Sequence, residues 1–273
     1  MPDFLTVCIE AARAGGSVLL DWQDRFQARE KGPKDLVTEA DVAAQEAIRG
    51  VLLGAFPDHD FLGEEEAADR KAAGQPLIPP RRGEYRWIVD PLDGTANYVH
   101  KLQTFAVSIA LEKNDELVCG CVLDPIANEC YTAVAGHGAQ LNGRPIRVSS
   151  CQRVDQAMIA VSFPANVPRG SIEITRFVEA LHAAQAIRRL GSAALNLCYI
   201  AAGRLDVYWA TSVQAWDIAA GVLMVREAGG VVTAIDGGPL DLERAEFAAS
   251  SSRPLHEEVM QLLRRASLAH GLQ

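Results

Sequence analysis

The sequence predicts a layered α/β fold made of two intimate lobes that divide near residue 150, as 1–150 and 151–273. Three observations predict it. Two amphipathic helical patterns open the chain, a series of β-rich segments with short turns follows, and the second half alternates helix and strand patterns. No flexible linker marks the division.

Residues 3–27 carry Phe4, Leu5, Cys8, Ala11, Ala12, Val18, Leu19 and Trp22 at helical spacing, so one long helix is expected there. The segment AREKGPKD (28–35), broken by Gly32 and Pro33, reads as a loop. A second helix starts near Thr38, whose spacing to Asp41 is that of a capping box, and stops near Gly54. The short apolar stretch HDFLGEEE (59–66) comes next, and the polar segment 68–84 reads as an exposed excursion. YRWIVD (85–90), FAVSIALEK (105–113), ELVCGCVLD (116–124) and ECYTAVAG (129–136) are β-rich, and the short turns between them imply an antiparallel sheet. Asn142-Gly143 within QLNGRPIRVS (140–149) is a hairpin signal. Beyond residue 150, strands are expected at 158–162, 186–190, 206–209 and 231–234, and helices at 171–185, 192–202, 216–228 and 254–269.

Composition narrows the function. A length of 273 residues, 49% hydrophobic and 22% charged, is enough to bury a core without staples. The formal net charge of −9 argues against a surface that coats nucleic acid. No apolar run is long enough for a membrane span, and no signal peptide is read. The six cysteines form no C-x-x-C pair and read as reduced thiols in a cytoplasmic setting. Cys119 and Cys121 alternate on a strand and share one face. His100 and His137 read as loop or surface residues rather than ligands.

Acidic residues stand at the ends of elements: Asp41, Glu64-Glu65, Asp90 with Asp93, and Asp217. Each has a structural explanation. Asp41 can complete a cap, Glu64–Glu66 can be a solvated charge run, and Asp93 or Asp217 can be N-caps. Asp90-Pro91-Leu92-Asp93 fits a type I turn with Pro at its second position. In WIVDPLDGTANYVH, however, the apolar strand and the turn deliver two carboxylates beside Gly94-Thr95, where a helix start would suit an anion. Two carboxylates next to a phosphate repel it by about 4 kcal/mol per pair at about 4 Å and an effective dielectric near 20. Hard divalent cations between them remove the conflict, and an all-oxygen ligand set suits Mg²⁺. No Cys/His cluster competes as a zinc site. The D-x-x-D spacing differs from the D-x-D of haloacid-dehalogenase-type phosphatases, and no P-loop is present.

WIVDPLDGTANYVH resembles the signature of the inositol monophosphatase family. KDLVTEAD (34–41), FLGEEE (61–66), WDIAAGVLMVREAGG (216–230) and LGSAALNLCYIAAGRLDVYW (190–209) agree in order and spacing, over nearly the whole chain. The resemblance implies a five-layered αβαβα sandwich, a homodimer, and lithium-sensitive, Mg²⁺-dependent hydrolysis of a small phosphate monoester. It implies two or three Mg²⁺ ions: Glu64, Asp90 and the Leu92 carbonyl on the first, Asp90, Asp93 and Asp217 on the second. Glu65 would act in the outer shell, and Gly94 and Thr95 would cradle phosphate. Glu64 and the Thr95–Asp41 pair would activate water, with no covalent intermediate. Asp41 would otherwise support a weaker third metal.

The family's alcohol-binding region maps to Gly191, Ser192, Ala193, the loop 210–215 and Asp217, with Asp93 at its edge. Inositol-selective members have an acid seven positions before the WD aspartate, and here that position is Ala210. Thr211 and Ser212 follow it and can supply hydroxyls instead. Inositol-1-phosphate is the expected substrate. Fructose-1,6-bisphosphate, histidinol phosphate and 3′-phosphoadenosine nucleotides stand as alternatives, as does a regulatory binding protein on the same fold. No nucleic acid or membrane partner is expected.

Overall fold

The computed structural model describes residues 3–23, 25–32 and 35–269. It stacks five layers, α–β–α–β–α, around three apolar clusters. The first layer pairs α1 (Phe4–Trp22) with α2 (Glu39–Ala55). Asp3 caps α1 by accepting the Thr6 N–H at 3.1 Å, and Val7, Cys8, Ala11, Ala12 and Leu19 form its buried stripe. Between these helices lies an antiparallel ribbon, β1 (Ala28–Gly32) and β2 (Asp35–Thr38), where a loop was expected. Its charged sequence has no apolar alternation, so the pairing rests on backbone hydrogen bonds that leave no sequence pattern. Pro33 and Lys34 lie outside the described residues.

The large sheet runs in the order β3 (Asp60–Gly63), β4 (Tyr85–Asp93), β5 (Ala106–Lys113), β6 (Glu116–Asp124), β7 (Glu129–Val134), β8 (Gly138–Leu141) and β9 (Arg144–Ile146). It is antiparallel except for β3 beside β4, which run parallel because α3 (Glu64–Ala72) joins them as a crossover. That helix occupies the first part of the segment read as an excursion. Its glutamates open it and Arg70 and Lys71 close it, which matches the helix dipole. Alternation divides the sheet's two faces. Trp87, Val89, Val107, Ile109, Cys119 and Cys121 pack under α1 and α2, while Ile88, Ala106, Ala110 and Val122 face the central helices.

The central layer holds α6 (Ala193–Ala201) and α7 (Ala215–Glu227). Both are apolar almost all round because each is covered on both sides. Small residues admit α7 closely: a methyl on Gly120 would lie 3.2 Å from Ala220. The second sheet runs β11 (Ala186–Arg188), β10 (Met158–Val161), β12 (Val207–Ala210), β14 (Phe247–Ser250), β13 (Val231–Ala234). The alternating pattern anticipated all of these but β14, which lies antiparallel between β12 and β13. The outer layer is α5 (Ile172–Ala183) with α8 (Arg253–Ala269), closed over Ile159, Val207 and Trp209. A short helix, α4 (Thr95–Val99), follows β4. Among the described residues no helix is long and apolar enough to cross a membrane.

Candidate active site

Asp90 and Asp93 come from one strand, and residues three apart on a regular strand point to opposite faces. The pairing of β4 with β5 slips between Asp90↔Ser108 and Asp93↔Ala106. This bulge accommodates Pro91, which has no N–H for a ladder. Within it Asp90 Oδ1 accepts the Leu92 N–H at 2.9 Å. The strand therefore continues through Asp93, where a turn was expected to end it at Asp90. Both carboxyls reach the same point, joined by Asp217 from the first turn of α7. Ligand oxygens of the three lie within 4.8 Å of one another. Glu64 opens α3 directly after Gly63, which pairs with Val89, so it stands beside Asp90 across the parallel strands.

Each of the four aspartates accepts a backbone N–H. Asp217 Oδ2 accepts the Gln214 N–H at 2.7 Å in a capping box at the start of α7. Asp41 completes the box of α2: its Oδ2 accepts from the Thr38 N–H (2.8 Å) and hydroxyl (2.7 Å). The other Asp41 oxygen turns to the site and accepts from Thr95 Oγ1 at 3.2 Å. The capping and site readings of Asp41 are thus compatible, one oxygen each. The Thr95 hydroxyl also lies 3.1 Å from the Leu92 carbonyl. Asp93 is held from the other half of the chain, by the N-terminus of α6. Its Oδ1 accepts the Ala193 N–H at 3.1 Å, and its Oδ2 accepts the Ala194 N–H at 2.7 Å and the Ser192 hydroxyl.

Gly94 links β4 to α4 with φ +97°, in the left-handed region. A side chain there would also press on the Thr104 carbonyl, 2.9 Å from an added methyl. Asn97 fixes the same corner by donating to the Thr104 and Leu190 carbonyls, both at 2.7 Å. Behind Glu64, the Glu65 N–H donates to Gln45 Oε1 at 3.0 Å.

Burial and mutual charge dominate the electrostatics. Burial pushes the Asp90 carboxyl well above the usual range, and Glu64, Asp93 and Asp217 add to it. Asp217 is pushed to about 8, chiefly by burial and then by Asp93 and Glu64, against the Gln214 N–H. Burial raises Asp93 to about 6, although Ser192, Ala194 and Ala193 pull the other way. Such a cluster calls for positive charge between its members. The donors are all oxygens, with unused lone pairs on carboxylates already oriented by their caps, a set that fits Mg²⁺ rather than a thiophilic metal.

The regions expected to select the substrate are partly committed elsewhere. Ser192 is fully buried, and its hydroxyl donates to Asp93 and accepts the Leu195 N–H at 3.2 Å. Ala193 serves Asp93 through its backbone, while Gly191 is exposed with φ +86°. Ala210 is not in the loop: it is the last residue of β12, paired with Phe247 and fully buried. The loop begins at Thr211, and Ser212 is exposed. Sequence reasoning missed Gln45, Asn97 and Gln214, and Ser192 as a support for Asp93. The S-x-x-L start of α6 signals a cap, but nothing local ties it to an aspartate far upstream.

Residues 2–268 match the model of the inositol monophosphatase family. The chain belongs to that family. Among its family relatives, an inositol-1-monophosphatase from Mesorhizobium japonicum is 39% identical over 255 residues, 90% of this chain and 91% of the relative. A Nus factor SuhB from Haemophilus influenzae is 38% identical, covering 94% of each. The crystal structure of the extragenic suppressor protein SuhB from Bartonella henselae superposes with a TM-score of 0.86 at 38% identity, over 95% of this chain and 98% of that one. The five-layered arrangement is that of the inositol monophosphatase fold.

Proposed function

We propose that this family member hydrolyses a small phosphate monoester with Mg²⁺, and that inositol-1-phosphate is its preferred substrate. The observation that carries the reading is the convergence of Asp90, Asp93 and Asp217 within 4.8 Å, from both halves of the chain. Glu64, Asp90 and the Leu92 carbonyl would hold one ion, and Asp90, Asp93 and Asp217 a second. When bound, Mg²⁺ supplies charge neutralisation between carboxylates and phosphate and acidifies water in the cleft. Gly94 and Thr95 present backbone N–H groups to the phosphate at the left-handed turn. The Thr95 hydroxyl orients the attacking water, and Asp41 Oδ1 receives the proton through it, assisted by Glu64. Glu65 holds Glu64 in register through its own bond to Gln45. Water protonates the leaving alkoxide, and the reaction proceeds without a covalent phosphoenzyme.

In this reading the lobe 1–150 carries the metal and phosphate groups, and 151–273 contributes Asp217 and substrate choice. Thr211 and Ser212, which follow buried Ala210, would contact the alcohol. The chain works as a lithium-sensitive homodimer in the cytoplasm. The relative named inositol-1-monophosphatase supports the substrate. The relative named Nus factor SuhB favours a second reading, a regulatory binding role on the same fold.

Phosphate release decides between them. The panel is inositol-1-phosphate, fructose-1,6-bisphosphate, histidinol phosphate and a 3′-phosphoadenosine nucleotide, with kcat/KM for each, with and without Mg²⁺. Inositol-1-phosphate is expected to rank first. If saturating Mg²⁺ gives no release from any of the four, the enzyme reading fails and the binding role stands.

A further inference from the structure

A cavity of about 600 Å³ opens at the far end of the large sheet from the acid cluster, with Asp60 and Arg86, from the starts of β3 and β4, in its wall. At ~3.3 Å per residue, β3 puts roughly 13 Å between Asp60 and Glu64, while Glu66 and Arg70 of α3 line the cavity's nearer side. The cavity is rich in arginine, although the chain carries a formal net charge of −9. Its lining sets Arg49, Arg70, Arg81, Arg82 and Arg86 against Asp58, Asp60 and Glu66.

The acids that pair with these arginines are shared between them or lie outside the lining. Glu66 serves both Arg49 and Arg70, the latter at 3.3 Å. Glu112, behind the wall, serves both Arg86 and Arg81, the latter at 2.8 Å, and Arg81 also meets the exposed Asp115 at 2.6 Å. Asp60 Oδ2 is occupied by the Arg82 and Gly83 backbone N–H groups, at 2.7 and 3.0 Å. Two guanidinium nitrogens, Nη1 of Arg70 and Nη1 of Arg81, are enclosed with no hydrogen-bond partner. Enclosed cationic donors without acceptors are costly, and a forked guanidinium is well matched to phosphate oxygens.

We propose that this cavity is a second anion site, separate from the acid cluster, which takes a phosphate-bearing small molecule through Arg49, Arg70, Arg81 and Arg82. The test is calorimetric titration of the full chain with inorganic pyrophosphate in EDTA, where metal-free carboxylates at the acid cluster repel anions. One equivalent binds, and added salt weakens it. The double variant Arg49→Gln/Arg82→Gln weakens binding by about tenfold or more, because two charge-assisted contacts are lost. Both side chains are open enough to solvent for the fold to survive, Arg49 being 39% exposed. Arg81→Lys, which keeps charge and loses the fork, weakens binding as well and serves as the second variant. Asp93→Asn leaves binding unchanged. No binding in EDTA, binding that survives the arginine changes, or binding lost in Asp93→Asn would each overturn the assignment.

Discussion

Asp93→Asn separates the acid cluster as a metal site from the acid cluster as a packing device, through stability alone. The Asp93 carboxyl is raised from 3.8 to about 6. A raised acid in the folded state loses stability as pH rises from 3.8 to 6, and above 6 the loss is complete. At 1.36 kcal/mol per pH unit this is on the order of 3 kcal/mol against the folded state near neutral pH. Asparagine removes that penalty. Its one oxygen can face the Ser192 hydroxyl and Ala194 N–H, but its NH₂ then faces the Ala193 N–H and one hydrogen bond is lost, a cost of about 1–3 kcal/mol. In EDTA the two effects nearly cancel, so urea melts of variant and parent should agree within about 1–2 kcal/mol. Free Mg²⁺ at about 100 times its Kd should then stabilise the parent by about 2.7 kcal/mol and the variant by much less. Equal stabilisation of both by Mg²⁺ would refute the metal assignment. A variant crippled in EDTA would refute the repulsion argument.

Other outcomes follow from the same geometry. Ser192→Ala removes both the cap of α6 and a hydrogen bond to a carboxylate, so a loss of roughly 2–4 kcal/mol in urea melts is expected, with a higher Mg²⁺ requirement for phosphate release; unchanged values for both would show that α6 does not position Asp93. Gly94→Ala forces a side chain into φ +97° against the Thr104 carbonyl. It should cost about 1–3 kcal/mol and depress activity, and a variant as stable as the parent would contradict the strain. His256 is lowered from 6.5 to about 4, by burial first and then by Arg253, while its ring bonds Thr233 Oγ1 and Ser250 Oγ. A lowered histidine gives stability that is whole above 6.5 and is lost as pH falls toward 4, on the order of 3 kcal/mol here. His256→Gln should flatten that slope in melts between pH 4 and 7; an unchanged slope would remove His256 as its source.

The parts of the fold that were legible in the sequence are those written in local patterns. α2 and its Thr38–Asp41 box, the strands from Tyr85 to Val134 and the start of α7 all carry their periodicity and caps within a few residues. The acids of the site were legible because they recur at element ends in a known order. What remained hidden was non-local. The bulge at Pro91 is a property of β4 against β5, and the α6 grip on Asp93 joins residues about a hundred positions apart. β14 is too short and small-residued to signal a strand, and the sequences of β1 and β2 show no apolar alternation. Ala210 was misplaced because a strand end and a loop start look alike in YWATSVQ; only pairing with Phe247 settles where the strand stops.

The position of α7 between two sheets bears on how the protein is made. A ribosome releases Asp90 and Asp93 well before Asp217, and before Ser192 to Ala194, whose donors hold Asp93. Until α6 and α7 have emerged and docked, the inner face of the large sheet is bare and its two aspartates repel each other without support. A nascent chain therefore holds Asp90 and Asp93 of the acid cluster without Asp217. On the proposed reading, the place for the second ion is completed only after Asp217 has left the exit tunnel, so binding of that ion would report that the two halves of the chain have docked.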